Sequence, residues 1–174
     1  EKYTWLQEHL IRDVRKDLNA PELPFVIGVM GIGGIATDPD DQMTHFQAAQ
    51  RATAENPEFE DTVAAVQTGK YWDHELEAVL SKFRDLNRKR EELKRKGLDG
   101  DELEKACAAY RDEHITARDE EIRRKAVSNA GFHYHGSAKI MCGIGRGFAE
   151  AMLELQDETR TKHSETRKSD ESNR

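Results

Sequence analysis

Two cysteines, Cys107 and Cys142, are too few for a disulfide framework, and nothing in the sequence demands even one bridge. No apolar run approaches the roughly 18 residues of a membrane-spanning helix, which excludes a helical span. Hydrophobic residues make up only 36% of the chain and charged residues 35%, so part of it must be solvated helix or tail. Positive charge is not in excess either. The net charge is -7 with His neutral, which argues against a nucleic-acid partner. The basic clusters Arg88-Lys89-Arg90 and Lys94-Arg95-Lys96 are interleaved with Glu91, Glu92 and Asp99. That pattern fits a salt-bridged helix surface better than a phosphate-binding patch. No signal-peptide pattern is visible, and the first residue is Glu1 rather than Met, so the N-terminus is expected to be trimmed or incomplete.

The 174 residues that are present suit one domain with a sizeable core. Leu6, Leu10, Val14 and Leu18 recur at helical spacing between charged residues, which predicts an amphipathic helix with these four facing inward, ended by Pro21 and Pro24. The run 24–30 is nearly continuously apolar and reads as a buried strand of a parallel sheet. A Gly, Asp and Pro loop at 31–41 leads into a helix over 42–55, with Met43, Phe46, Ala49 and Ala52 or Thr53 inward, and Pro57 breaks it. Residues 62–67 form a second strand candidate, so the rhythm is that of an α/β fold. Residues 72–96 and 101–124 predict two charged helices joined by a turn at Gly97-Leu98-Asp99-Gly100. This helical hairpin, 72–125, reads as a solvated insertion or an interaction arm. A last helix is expected over 137–155, with Ile140, Ile144, Phe148 and Met152 inward, and a disordered polar tail over 156–174.

The stretch Gly131-Phe132-His133-Tyr134-His135-Gly136-Ser137-Ala138-Lys139 carries the best candidate chemistry. An imidazole titrates near neutral pH, so His133 can take a proton from a serine hydroxyl and return it to a leaving group, provided a partner holds its other nitrogen. The competing reading makes His133 a loop histidine bonded to nearby backbone. His135 would project to the same side as His133 in an extended loop, as metal ligands do, but no Cys, Asp or Glu lies nearby, so it reads as a rim or surface residue. Ser137 opens a helix and reads as its N-cap rather than as a nucleophile. Gly31-Ile32-Gly33-Gly34-Ile35-Ala36 matches a loose dinucleotide-binding pattern, but the loop continues through Asp41 and the second strand lacks a ribose-binding acid, so no cofactor is expected. Those glycines suit a turn or a close backbone approach better.

Several blocks in shared order resemble one family. They are Ile11-Arg12-Asp13-Val14-Arg15-Lys16-Asp17-Leu18, Leu23-Pro24-Phe25-Val26-Ile27-Gly28, Phe46-Gln47-Ala48-Ala49-Gln50-Arg51, Val66-Gln67-Thr68 and Tyr71-Trp72-Asp73. Gly131-Phe132-His133-Tyr134, Gly136-Ser137-Ala138-Lys139 and Ile144-Gly145-Arg146-Gly147-Phe148-Ala149-Glu150-Ala151 follow. From Lys2 to Leu155 the chain resembles the sialate O-acetylesterase-like carbohydrate esterases of the SGNH (GDSL-type) hydrolase superfamily. The resemblance implies a flavodoxin-like three-layer α/β/α domain over 1–155, incomplete, with the hairpin as an insertion. It implies removal of O-acetyl groups from an acetylated carbohydrate by a serine nucleophile, without metal or organic cofactor, at an extracytoplasmic location. His133 matches the catalytic histidine.

Departures from the family pattern shape the expectation. The nucleophile's Gly-x-Ser block and the Gly-x-Asn-Asp block are missing, and both are expected upstream of Glu1, so the chain reads as the C-terminal part of such an esterase, inactive alone. The place of the usual acid, three residues before His133, is held by Ala130. Asn129 and Asp73 are the two candidates for orienting the imidazole. The alternative function is a non-catalytic binding or scaffold module that keeps the fold, with the hairpin as its working surface.

Overall fold

The computed structural model describes residues 2–172, with the backbone alone described over 159–172. Two compact units emerge, one from the residues before Asp73 together with those after Met141, the other from Asp73–Met141.

The first unit contains α1 (Lys2–Asp17), β1 (Phe25–Val29), α2 (Gln42–Arg51) and β2 (Val63–Gln67). Most of α6 (Ala138–Ser172) belongs to it as well. The two strands pair in parallel, from Phe25 opposite Val63 to Val29 opposite Gln67, with α2 in the crossover. This is a mixed α/β arrangement, mostly helical, with a two-stranded parallel sheet among the described residues. Side chains alternate across a strand. Ile27 and Val63 accordingly meet Ile11 of α1 and Phe59 in one buried cluster. Gly28 faces the other way, and a Cβ there would lie 2.7 Å from Cζ of Phe148 on α6. Helices therefore cover both faces of the short sheet.

The inward face of α1 differs from expectation. Ile11 is its buried residue, whereas Leu6, Leu10 and Leu18 are 51%, 60% and 64% exposed. The docked edge is fixed by polar bonds. The Thr4 hydroxyl donates to the Ala49 carbonyl at 2.9 Å, and Thr53 donates to Gln7 Oε1 at 2.9 Å. Periodicity marks an apolar arc; it does not say which part of the arc finds a partner.

A similar offset appears in α2, whose buried residues are Gln47 and Gln50 rather than Met43, Phe46 or Ala49. Both glutamines organise the glycine loop after β1. Gln47 Nε2 donates to the carbonyls of Met30 (2.8 Å) and Gly34 (3.1 Å), while its Oε1 accepts from the Ala36 amide (3.0 Å). Gln50 Oε1 accepts from the Met30 amide at 2.9 Å. The loop runs so close to the backbone after β2 that a Cβ on Gly31 would sit 1.9 Å from the Gly69 nitrogen. Close backbone approach accounts for this glycine.

On α6, Gly143 and Gly147 form a groove for the Tyr71 ring. The helix also runs past the expected stop at Leu155. Its backbone is helical to Ser172, where a disordered tail was expected over 156–174; residues 173–174 lie outside the described residues. The segment contains no Gly or Pro, so nothing breaks the helix once the preceding turns nucleate it.

The second unit holds α3 (His74–Arg95), α4 (Gly100–His114), α5 (Ala117–Ala126), the histidine loop and the first turn of α6. The apolar residues of α3 recur at helical spacing, and the stripe they form is the face that packs. Val79 and Phe83 are buried with Ile115, and Leu86 and Ile122 lie against them. Lys94–Glu91 and Lys96–Glu92 pairs line the outer surface of α3. The single helix expected over 101–124 is broken, so the hairpin is a three-helix arrangement. Ile115 takes an extended conformation, and Thr116 caps α5 in a reciprocal box with Asp119. The buried Asp119 carboxylate also accepts from Lys82 at 2.8 Å. The Lys82 bond, then the Thr116 amide and hydroxyl, hold the Asp119 carboxyl at about 2, below its ordinary 3.8.

Two tests follow from this packing. In α6, Gly143→Ala places a Cβ 2.8 Å from Tyr71 Cδ1, whereas Gly145 has open space around it. Gly145→Ala is expected to stabilise the protein by up to about 1 kcal/mol through helix propensity. Gly143→Ala is expected to destabilise it by ~1–3 kcal/mol despite the same propensity gain, both read by urea denaturation. In the helical unit, Asp119→Ala is expected to cost ~1–3 kcal/mol at neutral pH. The folded carboxyl binds its proton less readily than the unfolded one, so the unfolded state takes up protons first as pH falls. The difference between variant and parent should therefore be full above 3.8 and fade as pH drops toward about 2, measured by thermal denaturation across that range.

Candidate active site

The histidine loop folds back on itself. After α5, Val127 is extended, and a short irregular helix covers Gly131–Gly136. His133 lies between the main allowed regions (φ -105, ψ 32), and Tyr134 and His135 follow in the left-handed region with φ 53 and 57. Gly136 continues that hand with φ 60. Successive left-handed residues reverse the chain sharply, at a cost of ~1–2 kcal/mol for each residue with a side chain. Backbone bonds hold the reversal. The His135 carbonyl accepts both the Ser128 and Asn129 amides at 2.9 Å, and the His135 amide donates to the Ala130 carbonyl at 3.1 Å. The Ser128 hydroxyl donates to the Gly136 carbonyl at 2.9 Å, and the His133 amide donates to the Ala130 carbonyl at 3.0 Å.

This closure brings together two of the residues singled out in the sequence. Asn129 Oδ1 lies 3.1 Å from His133 Nδ1. The same oxygen accepts from the Ala130 amide at 2.8 Å. An amide N–H only donates, so the atom facing it is the asparagine oxygen and not its nitrogen. His133 Nδ1 must then carry the proton and donate. Nε2 keeps its lone pair, which is the nitrogen a general base uses. The imidazole is exposed, with the Phe132 ring edge-on at a centroid distance of 4.4 Å.

Asp73, the other orienting candidate, is engaged elsewhere. It caps α3 by accepting from the Leu76 amide at 3.1 Å and pairs with Lys139 Nζ at 2.7 Å. Burial raises its carboxyl, but the bonds from Lys139 and the Leu76 amide outweigh that and leave it below the usual carboxylate range. An Asp immediately before a helix is placed to cap it.

His135, expected at the site rim or on the surface, is buried. It is 8% exposed, its ring lies 3.3 Å from where a Gly131 Cβ would be, and its Nε2 is 3.4 Å from Glu77 Oε2 on α3. Sequence reading missed Glu77 altogether. Its position in the first turn of a charged helix disguised it as one more solvated carboxylate. Ser137 stands where an N-cap stands, extended just before α6, and its carbonyl accepts the Met141 amide at 2.9 Å. Its hydroxyl, however, is buried and makes no cap bond. Among the described residues no group of three or more His, Cys, Asp or Glu is placed to hold a metal ion, and no helix is long and apolar enough to cross a membrane.

No protein-family model matches the chain, and neither the curated proteins nor the solved structures yield a match. The chemistry of the site rests on its geometry. That geometry can orient one imidazole with its outer nitrogen unprotonated. Asn129→Ala removes the acceptor and is expected to release His133 from the single Nδ1–H form into a mixture of tautomers. Imidazole ¹⁵N shifts of the full chain above pH 7 check this; an unchanged His133 spectrum would mean that Asn129 does not set the tautomer.

Proposed function

We propose that the chain is the C-terminal portion of a serine carbohydrate esterase similar to the sialate O-acetylesterases, in a flavodoxin-like α/β/α body, with His133 as general base. The observation that carries this reading is the 3.1 Å contact between Asn129 Oδ1 and His133 Nδ1, which leaves Nε2 as the acceptor. A neutral amide in this role orients the ring without adding negative charge, as in Cys-His-Asn sites. Two further features support it. The parallel β1–β2 pair with a helical crossover is a βαβ unit, the repeating element of such bodies. The exposed leucines of α1 form the kind of apolar stripe that further strands and helices of a larger sheet would cover.

The chemistry then runs as follows. A serine from a Gly-x-Ser block N-terminal to Glu1 attacks the acetyl carbonyl, and Nε2 of His133 takes its proton. The imidazolium returns that proton to the departing sugar hydroxyl, leaving an acetyl-serine. Water, deprotonated by the same nitrogen, attacks the acetyl-serine; acetate leaves and the serine is restored. Backbone and Asn donors of the missing blocks would stabilise the oxyanion. The chain alone lacks nucleophile and oxyanion donors and should release no acetate.

The complete protein, assayed for acetate release from acetylated sugars, is expected to be active. His133→Ala should lower kcat/KM by about 10²–10⁴-fold, the usual contribution of a general base. Activity retained within a few-fold would remove His133 from this role, and a reading frame without a Gly-x-Ser block upstream would remove the esterase reading itself.

A further inference from the structure

We propose that Glu77 and His135 are positioning residues for His133, acting as a clamp between α3 and the histidine loop; the proposal builds on the reading of His133 as the base. Three contacts carry it. First, the backbone of His135 is the hub of the loop. Its carbonyl takes the amides of Ser128 and Asn129, and its amide bonds to Ala130. Wherever His135 sits, the backbone of Asn129 follows, and with it the oxygen that meets His133 Nδ1.

Second, His135 adopts φ 57 without being glycine. Such a conformation persists only where the surroundings over-determine it. The surroundings here are specific: the ring is buried inside the loop against Gly131, and its Nε2 lies 3.4 Å from Glu77 Oε2. The other oxygen of Glu77 accepts from Arg84 one helical stretch further on, at 2.5 Å. The carboxylate is thus held from α3 itself and offers the loop a fixed point.

Third, the same end of α3 grips the far side of the loop. Asp73, its cap, pairs with Lys139 at the start of α6 at 2.7 Å. The loop between Ser128 and Lys139 therefore meets the N-terminal end of one helix at two places. A base must be held to about half an ångström to work well, and supporting residues that never touch substrate supply that precision.

The test separates this clamp from the esterase reading. The full chain is labelled with ¹⁵N and the His133 imidazole shifts are recorded for the parent, Glu77→Ala, Glu77→Gln and His135→Asn. His135→Asn keeps a residue tolerant of the left-handed backbone while removing the ring, so it serves if Glu77→Ala fails to fold. Glu77→Ala and His135→Asn are expected to convert His133 from one tautomer to a mixture and to speed amide exchange at Ser128 and Asn129. Glu77→Gln, which still offers an oxygen, should restore much of the parent pattern. In the complete protein, Glu77→Ala should lower kcat about tenfold or more with KM changed less than about threefold. A single unchanged tautomer in folded Glu77→Ala and His135→Asn overturns the clamp, and the esterase reading stands or falls separately on His133→Ala. A tautomer shift in a complete protein that releases no acetate supports the clamp and removes the esterase reading.

Discussion

One carbonyl oxygen organises the histidine loop. The His135 carbonyl accepts two successive amides, Ser128 and Asn129, and can do so only because the chain reverses through left-handed backbone at Tyr134, His135 and Gly136. Side-chain directions follow from that reversal. His135 turns into the loop toward Glu77, and His133, two residues earlier, stays on the outside with its Nδ1 bonded to Asn129. An extended loop would have sent both rings to the same side. The hairpin-like fold of the backbone is what gives the two histidines opposite environments.

The α/β unit is governed by close approach of a different kind. Gly31 meets the backbone at Gly69, Gly28 meets the Phe148 ring, and Gly143 and Gly147 receive Tyr71. On one face of the two short strands, Ile11 of α1 joins Ile27, Phe59 and Val63 in a small core, and on the other Phe148 of α6 lies over Gly28. They leave much of α1 uncovered, with Leu6, Leu10 and Leu18 each more than half exposed. On the proposed reading those leucines are interior residues of a larger body.

Much of the secondary structure was legible because local signals decided it. The apolar run at 24–30 holds β1, and the stripe of Leu76, Val79 and Phe83 is the buried face of α3. What escaped sequence reading depended on partners far along the chain. Whether Leu10 or Ile11 faces inward is settled by polar bonds from Thr4 and Gln7 to residues some 45 positions away, which periodicity cannot see. The break at Ile115–Thr116 was present as a Thr-x-x-Asp capping signal but hidden inside a run of good helix formers. At the site, Asn129 was singled out because it sits beside Ala130, and the fold sets its oxygen 3.1 Å from His133 Nδ1, while Asp73 caps its own helix. Glu77 had no local signal, since nothing in a charged helix distinguishes the one carboxylate that faces a loop.

His133 is proposed to serve as base to a serine outside these residues. Its most direct test is reaction of the complete protein with a serine-directed fluorophosphonate, with the adduct mapped by peptide mass spectrometry. One labelled serine is expected, in a Gly-x-Ser block N-terminal to Glu1, at a rate that falls about a hundredfold or more in His133→Ala. A label on Ser137, or a labelling rate indifferent to His133, would contradict it.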